Sequence, residues 1–145
     1  MRKILGLSIV FIFFNACVSE NKQFTKLSSS FSNINFKNKL YETNTRNYFT
    51  NPYMYLGAGV AAGDFNNDGL EDLFFSGNMV PNKLYINQGN LKFNDISESA
   101  GIEGDDRWYS GVTLIDINND GFLDIYCSVG GENGPNNNIL FINNQ

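Results

Sequence analysis

Short apolar runs separated by clusters of Asn, Asp and Gly fill most of the chain beyond residue 57. The first such unit predicts four strands: Gly59 to Asp64, Asp72 to Ser76, Lys83 to Asn87 and Lys92 to Ile96. Each run is too short for a stable helix, carries β-branched or aromatic residues, and ends in Gly or Asn turns. Upstream, Ile34, Phe36, Leu40 and Tyr41 alternate loosely with Asn and Lys and predict another strand. The segment from Tyr48 to Leu56 is aromatic-rich and broken by Pro52; Tyr53 and Tyr55 could stack on carbohydrate, but packing is the expectation. From 17 to 32 the chain is polar, with three consecutive Ser at 28–30, and reads as a tether.

The pattern is written twice. Gly59-Val-Ala-Ala-Gly-Asp-Phe-Asn-Asn-Asp-Gly-Leu-Glu-Asp-Leu-Phe-Phe aligns without gaps with Gly111-Val-Thr-Leu-Ile-Asp-Ile-Asn-Asn-Asp-Gly-Phe-Leu-Asp-Ile-Tyr-Cys, 52 residues on. Asn82-Lys-Leu-Tyr-Ile-Asn then matches Asn138-Ile-Leu-Phe-Ile-Asn 56 residues on, the extra residues lying in the Gly- and Asn-rich stretch before Asn138. A period near fifty with several short strands per unit predicts an all-β fold of two propeller-type blades. The expected division is 33–145 for the folded part, with units at about 57–108 and 109–145.

Within each unit the polar turn has chemistry of its own. Asp64, Asn66, Asp68 and Asp72 stand at positions 1, 3, 5 and 9 of one loop, and Asp116, Asn118, Asp120 and Asp124 at the same positions of the other. Such oxygen-only sets suit a hard cation, and calcium takes roughly six to eight oxygens in a flexible shell. Gly69 and Gly121, at position 6, permit the sharp turn, after which the carbonyls of Leu70 and Phe122 at position 7 would be further ligands. A plain Asn-Asn-Asp-Gly turn would need no acid at position 9. An EF-hand would carry Glu at position 12, where this chain has Phe75 and Cys127, and would lie between helices, whereas the flanks predict strands. Two calcium sites are therefore expected.

The first sixteen residues change the picture of where the protein works. Arg2 and Lys3 precede an apolar run from Ile4 to Phe14, followed by Asn15, Ala16 and Cys17, the plan of an export signal. A Cys after a small residue resembles the lipobox of bacterial lipoproteins, with Phe14 and Asn15 in place of the usual Leu and small residue. That resemblance implies cleavage after 16, lipidation of Cys17 and a membrane anchor. Removing 1–16 takes Arg2 and Lys3 from 10 basic residues, leaving 8 against 15 acidic ones and a net charge of −7. Six of those acids are the proposed ligands, and no basic face for nucleic acid remains. With Cys17 modified, Cys127 has no disulfide partner, and its apolar setting predicts a small buried hydrophobe. The chain has no His, and no nucleophile-plus-base arrangement stands out.

Both loops, together with Gly57-Ala-Gly-Val, Gly77-Asn-Met-Val-Pro-Asn-Lys-Leu-Tyr-Ile-Asn, Phe93-Asn-Asp-Ile-Ser-Glu-Ser-Ala-Gly-Ile and Trp108-Tyr-Ser-Gly-Val, resemble the FG-GAP/VCBS-type repeats of integrin-like β-propellers and of exported Bacteroidetes-type proteins. The resemblance covers roughly 31–145. It implies calcium held in each loop through positions 1, 3, 5, 7 and 9. It also implies a non-catalytic module for ligand binding, adhesion or scaffolding, with a protein or glycan partner, on an outer-membrane or cell-surface lipoprotein; the periplasmic face is the other location. Part of a propeller-based hydrolase or lyase acting on polysaccharide is the alternative function. Two blades cannot close a ring of four to eight, so the expectation is the N-terminal part of a longer protein.

Overall fold

A computed structural model describes residues 22–105, 107–130 and 135–145. The expected signal peptide at 1–16 and the lipidation site Cys17 lie outside the described residues.

Among the described residues, seven strands form two antiparallel sheets. The first takes β1 (Val60–Gly63), β2 (Asp72–Phe75), β3 (Lys83–Asn87) and β4 (Phe93–Asp95), paired in sequence order. The second takes β5 (Tyr109–Ile115), β6 (Asp124–Val129) and β7 (Ile139–Phe141) in the same manner. Each predicted strand of the first unit is present within a residue or two of its expected bounds. The repeat is also a repeat of register: Val60 pairs with Phe75 and Val112 with Cys127, each pair shifted by 52 residues.

Period-two alternation gives every strand two faces, and stacking uses them in a fixed order. Phe65, Phe74, Leu84 and Ile86 of the first unit turn toward the second, which offers Ile125, Cys127, Ile139 and Phe141 in return. These side chains, with Ile102 and Tyr109, make one core between the sheets. Close approach of the innermost strands is permitted by two glycines. A Cβ on Gly59 would lie 2.4 Å from Val112 Cγ2 and 2.7 Å from its backbone N, and one on Gly63 would lie 2.6 Å from Leu114 Cδ1. The second unit's other face is open: Ile117, Tyr126, Leu140 and Ile142 are 36 to 54% exposed, whereas their counterparts Phe65, Phe74, Leu84 and Ile86 are at most 8% exposed.

The strand expected from Ile34 to Tyr41 does not form. The alternation is real, since Ile34, Phe36, Asn38 and Leu40 are half-buried and the residues between them exposed, but the segment joins no ladder. It lies as an extended strap on the outer face of the first sheet. Phe36 stacks on Phe75 at 5.1 Å between ring centroids, the Tyr85 hydroxyl donates to Asn35 Oδ1 at 2.9 Å, and Asn78 N–H donates to Asn38 Oδ1 at 3.0 Å. An apolar period of two reports one-sided burial, which a strap satisfies as well as a strand does. The described part of the expected tether departs from a featureless linker at its end. Ser29–Ser32 form one helical turn (α1), capped by Ser28 Oγ accepting from Phe31 N–H, and Ser32 is buried.

Tyr48 to Leu56 also differs from expectation. Only Asn51 and Met54 are buried there, while Phe49 is 93%, Tyr53 71% and Tyr55 58% exposed. Tight turns fix these residues, with Asn51 N–H on the Asn47 carbonyl and Met54 N–H on the Asn51 carbonyl. One face of so short a loop can reach the core, and Met54 takes it.

Candidate metal-binding loops

Each loop connects the first two strands of its unit and is built from the same hydrogen bonds. In the first, Asp64 accepts from Asp68 N–H at 3.1 Å on Oδ1 and from Gly69 N–H at 2.8 Å on Oδ2. Asp68 Oδ1 accepts from Leu70 N–H at 2.9 Å, and Asn66 Oδ1 accepts from Asp68 N–H at 3.2 Å. In the second, Asp116 accepts from Asp120 N–H at 3.0 Å and Gly121 N–H at 2.9 Å, Asp120 from Phe122 N–H at 2.9 Å, and Asn118 from Asp120 N–H at 3.2 Å. The backbone needed for this is left-handed at two places per loop. Asn67 (φ 57°) and Asn119 (φ 59°) use the residue type that best tolerates it after Gly, and Gly69 (φ 85°) and Gly121 (φ 88°) use Gly itself.

Position 9 has a role that the spacing of oxygens did not reveal. Asp72 and Asp124 are completely buried. Asp72 Oδ2 accepts from Phe65 N–H at 2.9 Å and Oδ1 from Asn87 N–H at 2.7 Å. Asp124 Oδ2 accepts from Ile117 N–H at 3.0 Å and Oδ1 from Asn143 N–H at 2.8 Å. Each of these carboxylates ties the start of its loop to the end of the third strand. Asn87 and Asn143 therefore belong to the site, and the matched Ile-Asn endings of the two third strands were the signal for them. Asn82 and Asn138 repeat in the same way, their Oδ1 atoms accepting Gly77 N–H at 2.9 Å and Val129 N–H at 2.8 Å.

The position-9 carboxyl of the first loop is displaced chiefly by burial. Burial pushes the Asp72 carboxyl above its ordinary value, the Asn87 and Phe65 N–H groups pull it down, and the charges of Asp68 and Asp64 push it up again; the net shift is upward. Among the described residues no group of three or more His, Cys, Asp or Glu side chains is drawn together tightly enough to hold a metal by itself. The loops rely on more than acids: Asn66 and Asn118 contribute carboxamides, whose Nδ2 atoms donate to Asp68 Oδ2 at 2.9 Å and Asp120 Oδ2 at 2.8 Å. All donors are oxygens and most face solvent, so the set fits a hard divalent cation in its chemistry, with Asn66 and Asn118 having to turn their carbonyl oxygens inward. Leu70 and Phe122 follow Asp68 and Asp120 by two residues, and their N–H groups, not their carbonyls, make the loop bonds.

A partial match to a known repeat family supports the reading of the chain as a repeat protein. Residues 64–127 match the FG-GAP-like repeat. The matched span opens on position 1 of the first loop and runs through the whole of the second. Similar curated proteins are cartilage acidic protein 1 of Mus musculus, 39% identical over 79 residues, and of Xenopus tropicalis, 37% identical over 87 residues. The human protein of that name is 37% identical over 79 residues. These alignments cover 54 to 60% of this chain but only 12 to 13% of those proteins. The matched span contains both loops, β2 to β5 and the first part of β6.

Cys127 sits in the middle of the β6 ladder, fully buried, and its thiol is pushed up to about 12 by burial. A thiol so placed is a packing group.

Proposed function

We propose that this chain is a calcium-stabilised, non-catalytic extracellular module of β-propeller type, used for ligand binding, adhesion or scaffolding. The observation that carries the reading is the twofold occurrence of one oxygen loop, with the same hydrogen bonds on the same positions, at the junction of two stacked sheets. Empty, such a loop holds its carboxylates against mutual repulsion; a bound divalent ion removes that repulsion and ties together the strands that supply the ligands. Binding free energy is then folding free energy. Asp64, Asn66, Asp68, Asp72 and the Leu70 carbonyl would hold one ion, and Asp116, Asn118, Asp120, Asp124 and the Phe122 carbonyl the other.

The similarity to segments of cartilage acidic protein 1, whose name places it in cartilage, supports an extracellular setting. Export by the N-terminal signal and anchoring through Cys17 fit the same setting. The open face of the second unit supports a propeller, because a further repeat would cover Ile117, Tyr126, Leu140 and Ile142 as the second unit covers the first. Exposed Tyr48, Phe49, Tyr53 and Tyr55 supply rings on which a protein or glycan partner could be held. Thermal unfolding in calcium and in excess chelator tests the reading. A fall in melting temperature with chelator, reproduced by Asp68→Ala with Asp120→Ala, supports it; identical melting in both buffers refutes it.

A further inference from the structure

We propose that the two loops form one coupled two-site device, in which Asn67 and Asn143 are positioning residues that transmit cation occupancy of either loop to the other. The inference rests on the calcium reading and adds to it an interaction that the repeat pattern does not contain.

Two hydrogen bonds join the first loop to the second unit, one to its loop and one from the residue that holds its position-9 carboxylate, and they run in opposite directions. Asn67, at position 4 of the first loop, donates from Nδ2 to the carbonyl of Gly121, at position 6 of the second, at 3.0 Å. Asn143, at the end of the second unit's third strand, donates from Nδ2 to the carbonyl of Phe65, at position 2 of the first loop, at 2.8 Å. Each bond ends on a residue already fastened to a candidate ligand. Gly121 N–H is on Asp116, Asn143 N–H is on Asp124, and Phe65 N–H is on Asp72. A continuous path therefore runs from Asp124 through Asn143 and Phe65 to Asp72, linking the buried position-9 carboxylates of both loops. A second path starts at Asn67, which lies between the candidate ligands Asn66 and Asp68, and ends on the peptide that precedes Phe122.

The repeat offers its own control. Asn87, the counterpart of Asn143, donates from Nδ2 only within its unit, to the Glu71 carbonyl at 3.0 Å. Asn143 keeps the matching contact with Leu123 at 3.4 Å but makes the shorter bond across the junction. The bridging bonds thus belong to the junction and not to the unit.

A cation drawing Asn66 and Asp68 together must move Asn67, and one at Asp124 must fix Asn143. If ordering one loop positions the other, each ion raises the affinity for its neighbour by the same factor, because coupling between binding sites is reciprocal. Titrating the full chain with calcium chloride while following the Gly69 and Gly121 amides by NMR reads each loop separately. Asp120→Ala, which disables the second loop, is expected to weaken binding at the first by about tenfold, within the roughly 5- to 150-fold range of such couplings. In an Asn67→Gly, Asn143→Ala background the same change is expected to weaken it by less than about twofold. Should the double variant lose its fold, Asn67→Gly alone, on an exposed turn and free to keep its positive φ, is expected to reduce the coupling by about half. Equal effects in both backgrounds, or independent loops in the parent chain, overturn the coupling while leaving the calcium reading intact. Amides that do not respond to calcium at all overturn both.

Discussion

Asp72→Ala in calcium-free buffer separates the structural duty of position 9 from any metal-binding duty. The buried carboxylate is the acceptor for Phe65 N–H and Asn87 N–H. Deleting it strands one buried and one part-buried donor at about 1 to 3 kcal/mol each, so the gross loss is about 2 to 6 kcal/mol. Burying the charge itself opposes the native state, as the upward displacement of the carboxyl shows, and relief of that opposition brings the net loss to about 3 kcal/mol. That is a large share of the roughly 5 to 15 kcal/mol of an ordinary domain. Asp72→Asn keeps one acceptor oxygen but turns an NH2 toward the other donor, and is expected to lose about 2 kcal/mol. Urea unfolding in excess chelator reads both, with an unchanged slope certifying that only stability moved. Asp68→Ala, on the exposed side of the loop, is expected to change little in chelator and to lose only the increment that calcium adds. An Asp72→Ala loss below about 0.5 kcal/mol would show that this carboxylate does not close the loop.

Gly63 in β1 and Gly59 just before it give a graded pair. Gly63→Ala meets the ends of the Leu114 and Leu123 side chains, which can shift, and is expected to cost about 1 to 2 kcal/mol, whereas Gly59→Ala meets Val112 backbone and is expected to cost about 3 kcal/mol or more; a reversed order in urea melts would refute the close approach of β1 to β5. Asp95 carries a pH prediction: burial works against its ionisation, but the Ser97 hydroxyl and Lys83 outweigh it and hold the carboxyl below its ordinary value. Its stability contribution is therefore present above the unfolded carboxyl's pKa and is lost as pH falls through the lower folded value. Because Lys83 and Asp95 are about one third exposed, Asp95→Asn should cost under about 1 kcal/mol near neutral pH and progressively less as acid protonates the parent carboxyl. Cys127 should resist alkylation in the native chain and react on unfolding, as mapped by peptide mass spectrometry; rapid native labelling would contradict its burial.

What could be read in advance was whatever the chain states twice. Strand positions and the two sheets with a loop in each followed from the gapless match of Gly59–Phe75 with Gly111–Cys127, because period two and Gly or Asn turns are local signals. The segment from Ile34 to Tyr41 misled because alternation encodes a buried face and not a hydrogen-bonded neighbour; Phe36 finds its face on Phe75 without a ladder. Tyr53 and Tyr55 depart from the expectation because aromatic content does not by itself specify burial, and Met54 is the apolar side chain of that segment that reaches the interior. The roles of Asn87 and Asn143 were hidden for another reason. Their value comes from backbone N–H groups that meet Asp72 and Asp124 only after the third strand has paired, so the repeated Ile-Asn endings mark the positions but not the partners. The Asn67 and Asn143 bridges were out of reach altogether, since they depend on how the two sheets stack.

Calcium stoichiometry, counted by native mass spectrometry on the purified chain, tests the central claim most directly. The account predicts two ions on the parent, one on Asp68→Ala, one on Asp120→Ala and none on the double variant. No retained ion on the parent, or the same count on the parent and the double variant, would contradict it.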